Sequence, residues 1–424
     1  MSFTTFHLHP GLLRALEELQ FRAPTAIQAD AIPPTMAGRD VLACAVTGSG
    51  KTAAFLLPIL HRLAAQRRGT TRALVLAPTR ELAAQIDEHR RALARHVGVT
   101  GAAIFGGVGM DFQEQAFRRG ADILVATPGR LLDHFRFPYA RLTQLELLVL
   151  DEADRMLDMG FLPDIRRILE HLPRQRQTLL LSATMPPPIV ELARDMLRNP
   201  ATINIERPAA AAAGISHSVY PVPAELKSRL LVELLKGAGI RSALLFTRTK
   251  HRANRLAEFL ARAGVPADRI HGNRSQSQRT QALAAFKAGR IRALVATDIA
   301  ARGIDISELS HVINFDVPAV AEDYIHRVGR TGRAQAVGDA ITFLSPAEED
   351  EFRAIERAVG ARIRRVTLPG FDYMVRTAER LEVPLAERIA AIRARRGAER
   401  VRSRARAALV TTRSGDLRLT SRAV

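Results

Sequence analysis

The chain has 424 residues, enough for two or three domains rather than one core. Apolar residues make up 47% and charged residues 25%, a soluble globular balance, and no apolar run approaches the roughly 20 residues a membrane span needs. Lysine and arginine (62) exceed aspartate and glutamate (43), and the net charge of +19 points to a polyanionic partner. The one cysteine, Cys44, excludes internal disulfides and cysteine-based zinc sites and suits a reducing cytoplasm. Residues 1–6 show no basic region followed by an apolar core, so no secretory signal is expected.

In chain order, the apolar run 40–44 predicts a buried strand, and Thr52-Ala53-Ala54-Phe55-Leu56-Leu57 predicts the start of a helix. Between them lies Ala45-Val46-Thr47-Gly48-Ser49-Gly50-Lys51-Thr52. Strand, Gly-rich turn and helix is the setting of a phosphate-binding loop. Its glycines let backbone N–H groups turn inward, Lys51 can reach the β- and γ-phosphates, and the Thr52 hydroxyl can ligate Mg²⁺. Ala45 stands where that motif usually opens with glycine. Further apolar runs at 73–77, 121–126, 147–150 and 178–181 alternate with amphipathic stretches, which implies a parallel sheet with helices on both faces. The run 147–150 leads straight into Asp151-Glu152-Ala153-Asp154. A carboxylate at such a strand end can hold Mg²⁺, and its neighbour Glu152 can polarise an attacking water as general base.

Glu206-Arg207-Pro208, five alanines and Gly214 break the alternation and read as an interdomain linker. A second series at 242–246, 292–296 and 311–315 lacks its own Gly-Lys-Thr loop. One complete nucleotide site beside a similar domain without one implies a composite site in the cleft between them. Beyond residue 370, thirteen arginines face six acids, so the end of the chain reads as a basic extension able to tether RNA without sequence preference.

These blocks together closely resemble the DEAD-box ATP-dependent RNA helicases of superfamily 2, and among them the bacterial RhlE-like branch. The resemblance covers roughly residues 3 to 370. It implies two tandem RecA-like α/β domains, at 1–206 and 217–366, a linker at 207–216 and a basic extension at 367–424. It further implies an RNA-dependent ATPase that uses ATP and Mg²⁺ and separates short RNA duplexes, or remodels RNA–protein complexes, by closing on one strand. Phe21-Arg22-Ala23-Pro24-Thr25-Ala26-Ile27-Gln28 resembles the family's adenine-reading motif. Gln28 would pair with the adenine edge and Phe21 would stack on its face, with Phe6 or Phe3 as the further aromatic. Gln20 replaces a common glycine, and Val46 a common glutamine.

By the same resemblance Thr79, Arg80, Gly107, Thr127, Pro128 and Arg130, with Thr247, Gly272, Gln276, Arg279 and Thr297 of the second half, grip the RNA backbone. Such contacts position a strand without reading its sequence. Arg330 and Arg333 would serve as arginine fingers on the γ-phosphate, and Asp305 would accept from the ribose hydroxyl. His326, Asp154, Ser182 and Thr184 would couple the ATP site to the RNA face. An ATP-gated RNA clamp or annealer, and a DNA-directed helicase of the same superfamily, are the alternative readings. Ribosome assembly and RNA decay both fit these residues, and no membrane partner is expected.

Overall fold

Alternate residues of a strand face opposite sides of its sheet, so a strand that is apolar throughout must be covered on both faces. The computed structural model of the chain follows this rule; it describes residues 2–46, 48–65, 69–205, 215–237, 239–301, 309–331 and 338–375. Strands β1 (Val41–Cys44), β2 (Ala73–Leu76), β3 (Gly101–Ile104), β4 (Ile123–Ala126), β5 (Leu147–Leu150), β6 (Gln177–Ser182) and β7 (Ala201–Asn204) form one seven-stranded sheet in the order β3-β4-β2-β5-β6-β1-β7. Every pairing in it is parallel. Val75, Val125, Val149 and Leu181 enter a core under the helices of one face, while Leu76, Leu124, Leu150 and Leu180 enter the core of the other. Each leucine or valine so buried contributes about 1.5–3 kcal/mol.

The second half repeats the arrangement. Strands β8 (Ile215–Pro221), β9 (Ala243–Phe246), β10 (Ala267–Ile270), β11 (Ala293–Ala296), β12 (His311–Asn314), β13 (Gly338–Leu344) and β14 (Arg364–Arg365) lie parallel in the order β10-β11-β9-β12-β13-β8-β14. That is the first order with each strand number raised by seven. The helix Lys227–Lys236 follows β8, and its first residue is a buried lysine. Lys227 Nζ donates to the Phe315 carbonyl at 3.0 Å and to Glu348 Oε2 at 2.5 Å.

The strand expected at 121–126 begins instead at Ile123. Asp122 holds the strand start from the side, its carboxylate accepting from the Thr100 N–H at 2.8 Å and bridging to Arg72 at 3.3 Å. Strand β8 already includes Ile215 and Ser216, the last two residues of the expected linker; residues 206–214 and 376–424 lie outside the described part. Among the described residues no helix is long and apolar enough to cross a membrane. Because β5, β6 and β1 are neighbours in register, the loops after their carboxyl ends meet along one edge of the first sheet. These loops hold residues 45–50, 151–154 and 182–184.

Candidate functional site

The turn after β1 needs backbone geometry that side chains resist. Gly48 has φ 85° and Gly50 φ 96°, both left-handed, and a Cβ at Gly50 would stand 2.5 Å from Gln28 Nε2. Lys51 opens the helix Lys51–Ala64 and is buried, its Nζ donating to the Ala45 carbonyl at 2.6 Å. Ser49 Oγ donates to the Val46 carbonyl at 2.8 Å, Ala45 is buried in the core, and Thr47 lies outside the described residues. Gly48, Gly50, Lys51 and Thr52 line a cavity of about 360 Å³ that also touches Phe21, Gln28, Asp151, Glu152 and, from the second half of the chain, Arg330.

At its outer end Gln28 is buried; its Nε2 donates to the Gly50 carbonyl at 3.1 Å and its Oε1 accepts from the Thr25 N–H at 3.0 Å. Each of the two atoms keeps one further bonding position. Phe21 is 40% exposed and meets Phe3 edge-on at 6.3 Å, so Phe3 is the aromatic in contact, with Phe6 packed behind it. Gln20, which stands in place of a common glycine, is left-handed at φ 60°.

Asp151 is buried, and its Oδ1 has no hydrogen-bond partner. Burial pushes its carboxyl up to about 7, against the attraction of Lys51 and with the repulsion of Glu152. An unsatisfied buried carboxylate oxygen next to the Thr52 hydroxyl's helix turn is a donor set suited to Mg²⁺ shared with phosphate oxygens. Glu152 sits at φ 55°, a strained position for a side-chain-bearing residue, and its Oε2 accepts from Arg155 Nη1 at 2.9 Å. Asp154 points the other way. Its Oδ2 accepts from the N–H groups of Ala183 (3.1 Å) and Thr184 (2.9 Å) and from the Thr184 hydroxyl (2.9 Å), while its own N–H donates to Ser182 Oγ at 3.2 Å. Asp154, Ser182 and Thr184, expected to couple the ATP site to RNA, are thus one bonded unit.

The helix Ala321–Val328 brings His326 and Arg327 to the interface, with Arg330 just beyond. Burial, with the charge of Arg155, pushes His326 down to about 4 against the pull of Asp154 and Asp323. His326 is therefore neutral near pH 7. Arg327 is fixed within its own half, on Asp298 at 2.5 and 2.8 Å, on Asn314 Oδ1 at 3.1 Å and on the Asp316 carbonyl at 2.8 Å.

The two halves are also tied away from this cavity. Glu81 accepts from Gln276 Nε2 at 3.0 Å and from Arg279 Nη2 at 2.9 Å.

The DEAD/DEAH box helicase family model matches residues 25–192, and the helicase conserved C-terminal domain model matches residues 226–335. The DEAD-box ATP-dependent RNA helicase CshA of Bacillus subtilis (strain 168) is 40% identical over 392 residues, covering 91% of this chain and 79% of CshA. This chain belongs to the DEAD-box ATP-dependent RNA helicases. It is likewise similar to the ATP-dependent RNA helicase DeaD of Buchnera aphidicola, 41% identical over 375 residues that cover 88% of this chain and 62% of DeaD. Among solved structures, S. cerevisiae Dbp5 bound to RNA and ADP BeF3 superposes with a TM-score of 0.78 at 32% identity, covering 86% of this chain and 95% of Dbp5.

As a DEAD-box helicase the chain is an ATP hydrolase acting on RNA, and the residues expected to face RNA are spread over both halves. Thr79 caps the helix Arg80–Leu93 by accepting from the Leu82 N–H at 3.2 Å. A Cβ on Gly107 would stand 2.1 Å from Arg80 Nη1 and displace that guanidinium, and its φ of 84° is itself one that favours glycine. Arg130 Nη1 donates to the Val108 carbonyl at 3.1 Å, and Thr127 and Pro128 open the helix Pro128–Phe135 beside it. In the second half Gly272 faces open space, and Thr297 continues from β11, its N–H 3.4 Å from the Ile270 carbonyl. Thr247 is fully buried, its hydroxyl 3.4–3.5 Å from the carbonyls of Thr249 and Ala296. Gln276 and Arg279 are held by Glu81. Arg333 and Asp305 lie outside the described residues. Sequence reasoning passed over Glu81, Arg155 and Arg327, although each stands inside or directly beside a block it singled out.

Proposed function

We propose that this helicase hydrolyses ATP in the cavity between its halves and uses closure and reopening of that cleft to separate short RNA duplexes locally. The observation that carries the reading is a single cavity lined by Lys51, Asp151 and Glu152 from the first half and by Arg330 from the second. Lys51 holds the β- and γ-phosphates, and in doing so exchanges the Ala45 carbonyl for phosphate oxygens. The backbone of residues 45–50 cradles them. Thr52 and Asp151 would hold Mg²⁺, which would neutralise charge on the phosphates. Glu152 orients and deprotonates the attacking water, and Arg330 with Arg333 stabilises the transferring phosphoryl group. Gln28 and Phe21 hold the adenine, and Asp305 the ribose.

RNA lies along Thr79, Arg80, Gly107, Thr127, Pro128 and Arg130 and the matching edge of the second half, held by its backbone. The first domain is 1–206 and the second runs from the start of β8 at Ile215 to 366, joined by the residues between as a linker and followed by a basic extension from 367 that adds affinity for RNA. The protein acts in the cytoplasm, in ribosome assembly or RNA decay, and belongs with the RhlE-like branch.

Steady-state ATP hydrolysis by the wild type and Glu152→Gln, with single-stranded RNA, single-stranded DNA or neither, tests this reading. Stimulation by RNA alone, lost in the variant, is the expected result. Equal stimulation by DNA, or hydrolysis indifferent to nucleic acid, would overturn it.

A further inference from the structure

Arg155 is the largest fully buried side chain described in this molecule, with 2% of its surface exposed. One of its terminal nitrogens, Nη1, donates to Glu152 Oε2 at 2.9 Å, and that carboxylate is itself only 9% exposed. The other, Nη2, is buried without a hydrogen-bond partner. A guanidinium nitrogen left so is costly, and native structures retain such groups where another partner or a water completes them.

Arg155 borders a small gap of about 10 Å³ whose remaining lining belongs to the second half, including Asp323, His326, Arg327 and Arg330. A space of this size sits at the lower limit for one water. Among the described carboxylates on this rim, Asp298 is committed to Arg327 through two short bonds. Asp323 stands on the same helix as His326.

We propose that Arg155 is the positioning residue through which the second half of the chain governs Glu152, resting on the reading of Glu152 as the general base. With the halves seated together, the Glu152–Arg155 pair is enclosed in a low-dielectric environment, where a charged hydrogen bond is strong and directional. The negative charge of Asp323, on the opposite rim of the gap, attracts the Nη2 end across it. Arg155 is then fixed at both ends and holds Glu152 in one orientation. When the halves part, water reaches both nitrogens, the pair weakens, and Glu152 is released from that orientation. Hydrolysis is thereby confined to the closed arrangement by a residue that touches neither nucleotide nor RNA.

The test uses the full chain with Arg155→Met, which keeps length and apolar packing, Arg155→Lys, which keeps the charge, and Asp323→Asn. ATP turnover with saturating single-stranded RNA and without it, the KM for ATP, affinity for a fluorescent ADP analogue and the thermal midpoint are measured. Arg155→Met should lower RNA-stimulated kcat about 10- to 100-fold, the share a misplaced general base forfeits. Its affinity for the ADP analogue should stay within about two-fold, which locates the loss in the chemical step rather than in binding. Arg155→Lys should recover part of that loss, and Asp323→Asn should lower the stimulation by RNA without changing the KM for ATP.

Retention of RNA-stimulated kcat in Arg155→Met would overturn the proposal. So would a proportional loss of kcat, ADP affinity and thermal midpoint with no rescue by lysine, since that pattern marks a residue needed only for folding. A wild type with no stimulation by RNA would instead remove the underlying reading, and Glu152→Gln in the same assay separates the two failures.

Discussion

Replacing Asp151 with asparagine should make the nucleotide-free protein more stable while abolishing its ATPase. Burial holds the Asp151 carboxyl at about 7, against an ordinary value of 3.8, even with Lys51 nearby. The gap of about three pH units, at 1.36 kcal/mol each, corresponds to about 4 kcal/mol. The sign follows from linkage. A carboxyl with a raised folded pKa binds its proton more tightly in the folded protein, so stability falls as pH rises from about 4 to about 7, and the full cost stands above that. Asparagine cannot ionise and escapes it.

For a unit of about 200 residues, 4 kcal/mol is worth on the order of 10 °C in the midpoint. The measurement is thermal unfolding in EDTA, followed by circular dichroism, of wild type and Asp151→Asn between pH 5 and pH 8. A gain near the full figure at pH 8 that shrinks steadily toward pH 5 is expected. A variant no more stable than wild type at pH 8, or a gain independent of pH, refutes the reasoning.

Glu81→Gln keeps the shape of the tie to Gln276 and Arg279 but removes its charge. At about 1.5–3 kcal/mol for a hydrogen bond to a charged group, the closed-to-open ratio should fall about ten-fold or more, read by energy transfer between dyes on the two halves; an unchanged distance distribution would contradict this. Gln20→Gly relieves a left-handed residue at φ 60° and should stabilise the chain by roughly 0.5–1 kcal/mol in urea unfolding, with no change expected in ATP turnover. Gly50→Ala places a Cβ 2.5 Å from Gln28 Nε2 at φ 96°. It should weaken binding of a fluorescent ADP analogue about ten-fold or more, since Gly50 and Gln28 must move together; wild-type affinity would show that the turn tolerates a side chain.

The strands that carry the site were legible because they are continuous runs of valine and leucine buried on both faces, as in Leu147–Leu150 and Ala293–Ala296. Strands at the sheet margins were not. Strand β3 is Gly-Ala-Ala-Ile and only partly buried, and β10 is Ala-Asp-Arg-Ile, whose polar residues bond Asn254 and Arg274 rather than entering the core. Neither has the apolar density that marks a strand without its neighbours.

In the site, residues next to turns and strand ends could be read from motif spacing, because their chemistry follows from local backbone geometry. What spacing does not carry is which side chains stay internally engaged. The burial of Thr247, the capture of Gln276 and Arg279 by Glu81, and the pairing of Arg155 with Glu152 all depend on elements distant in sequence or on the packing around them.

The repeated strand order sets two buried lysines at equivalent points of the two sheets. Strand β8 occupies in the second sheet the place that β1 occupies in the first, and β12 the place of β5. The helices after β1 and β8 both begin with a buried lysine, Lys51 and Lys227. In each half an aspartate stands just past the matching central strand, Asp151 after β5 and Asp316 after β12. In the first half, Asp151 keeps an oxygen unsatisfied. In the second, Lys227 is capped by Glu348 and the Phe315 carbonyl, and Asp316 is held by Arg252 and the Arg248 N–H. The same framework thus carries two lysine centres, one tied to a carboxylate of its own half and one beside a buried carboxylate oxygen that has no partner. On the function proposed above, the half whose charges are settled internally supplies Arg330 to a nucleotide held by the other.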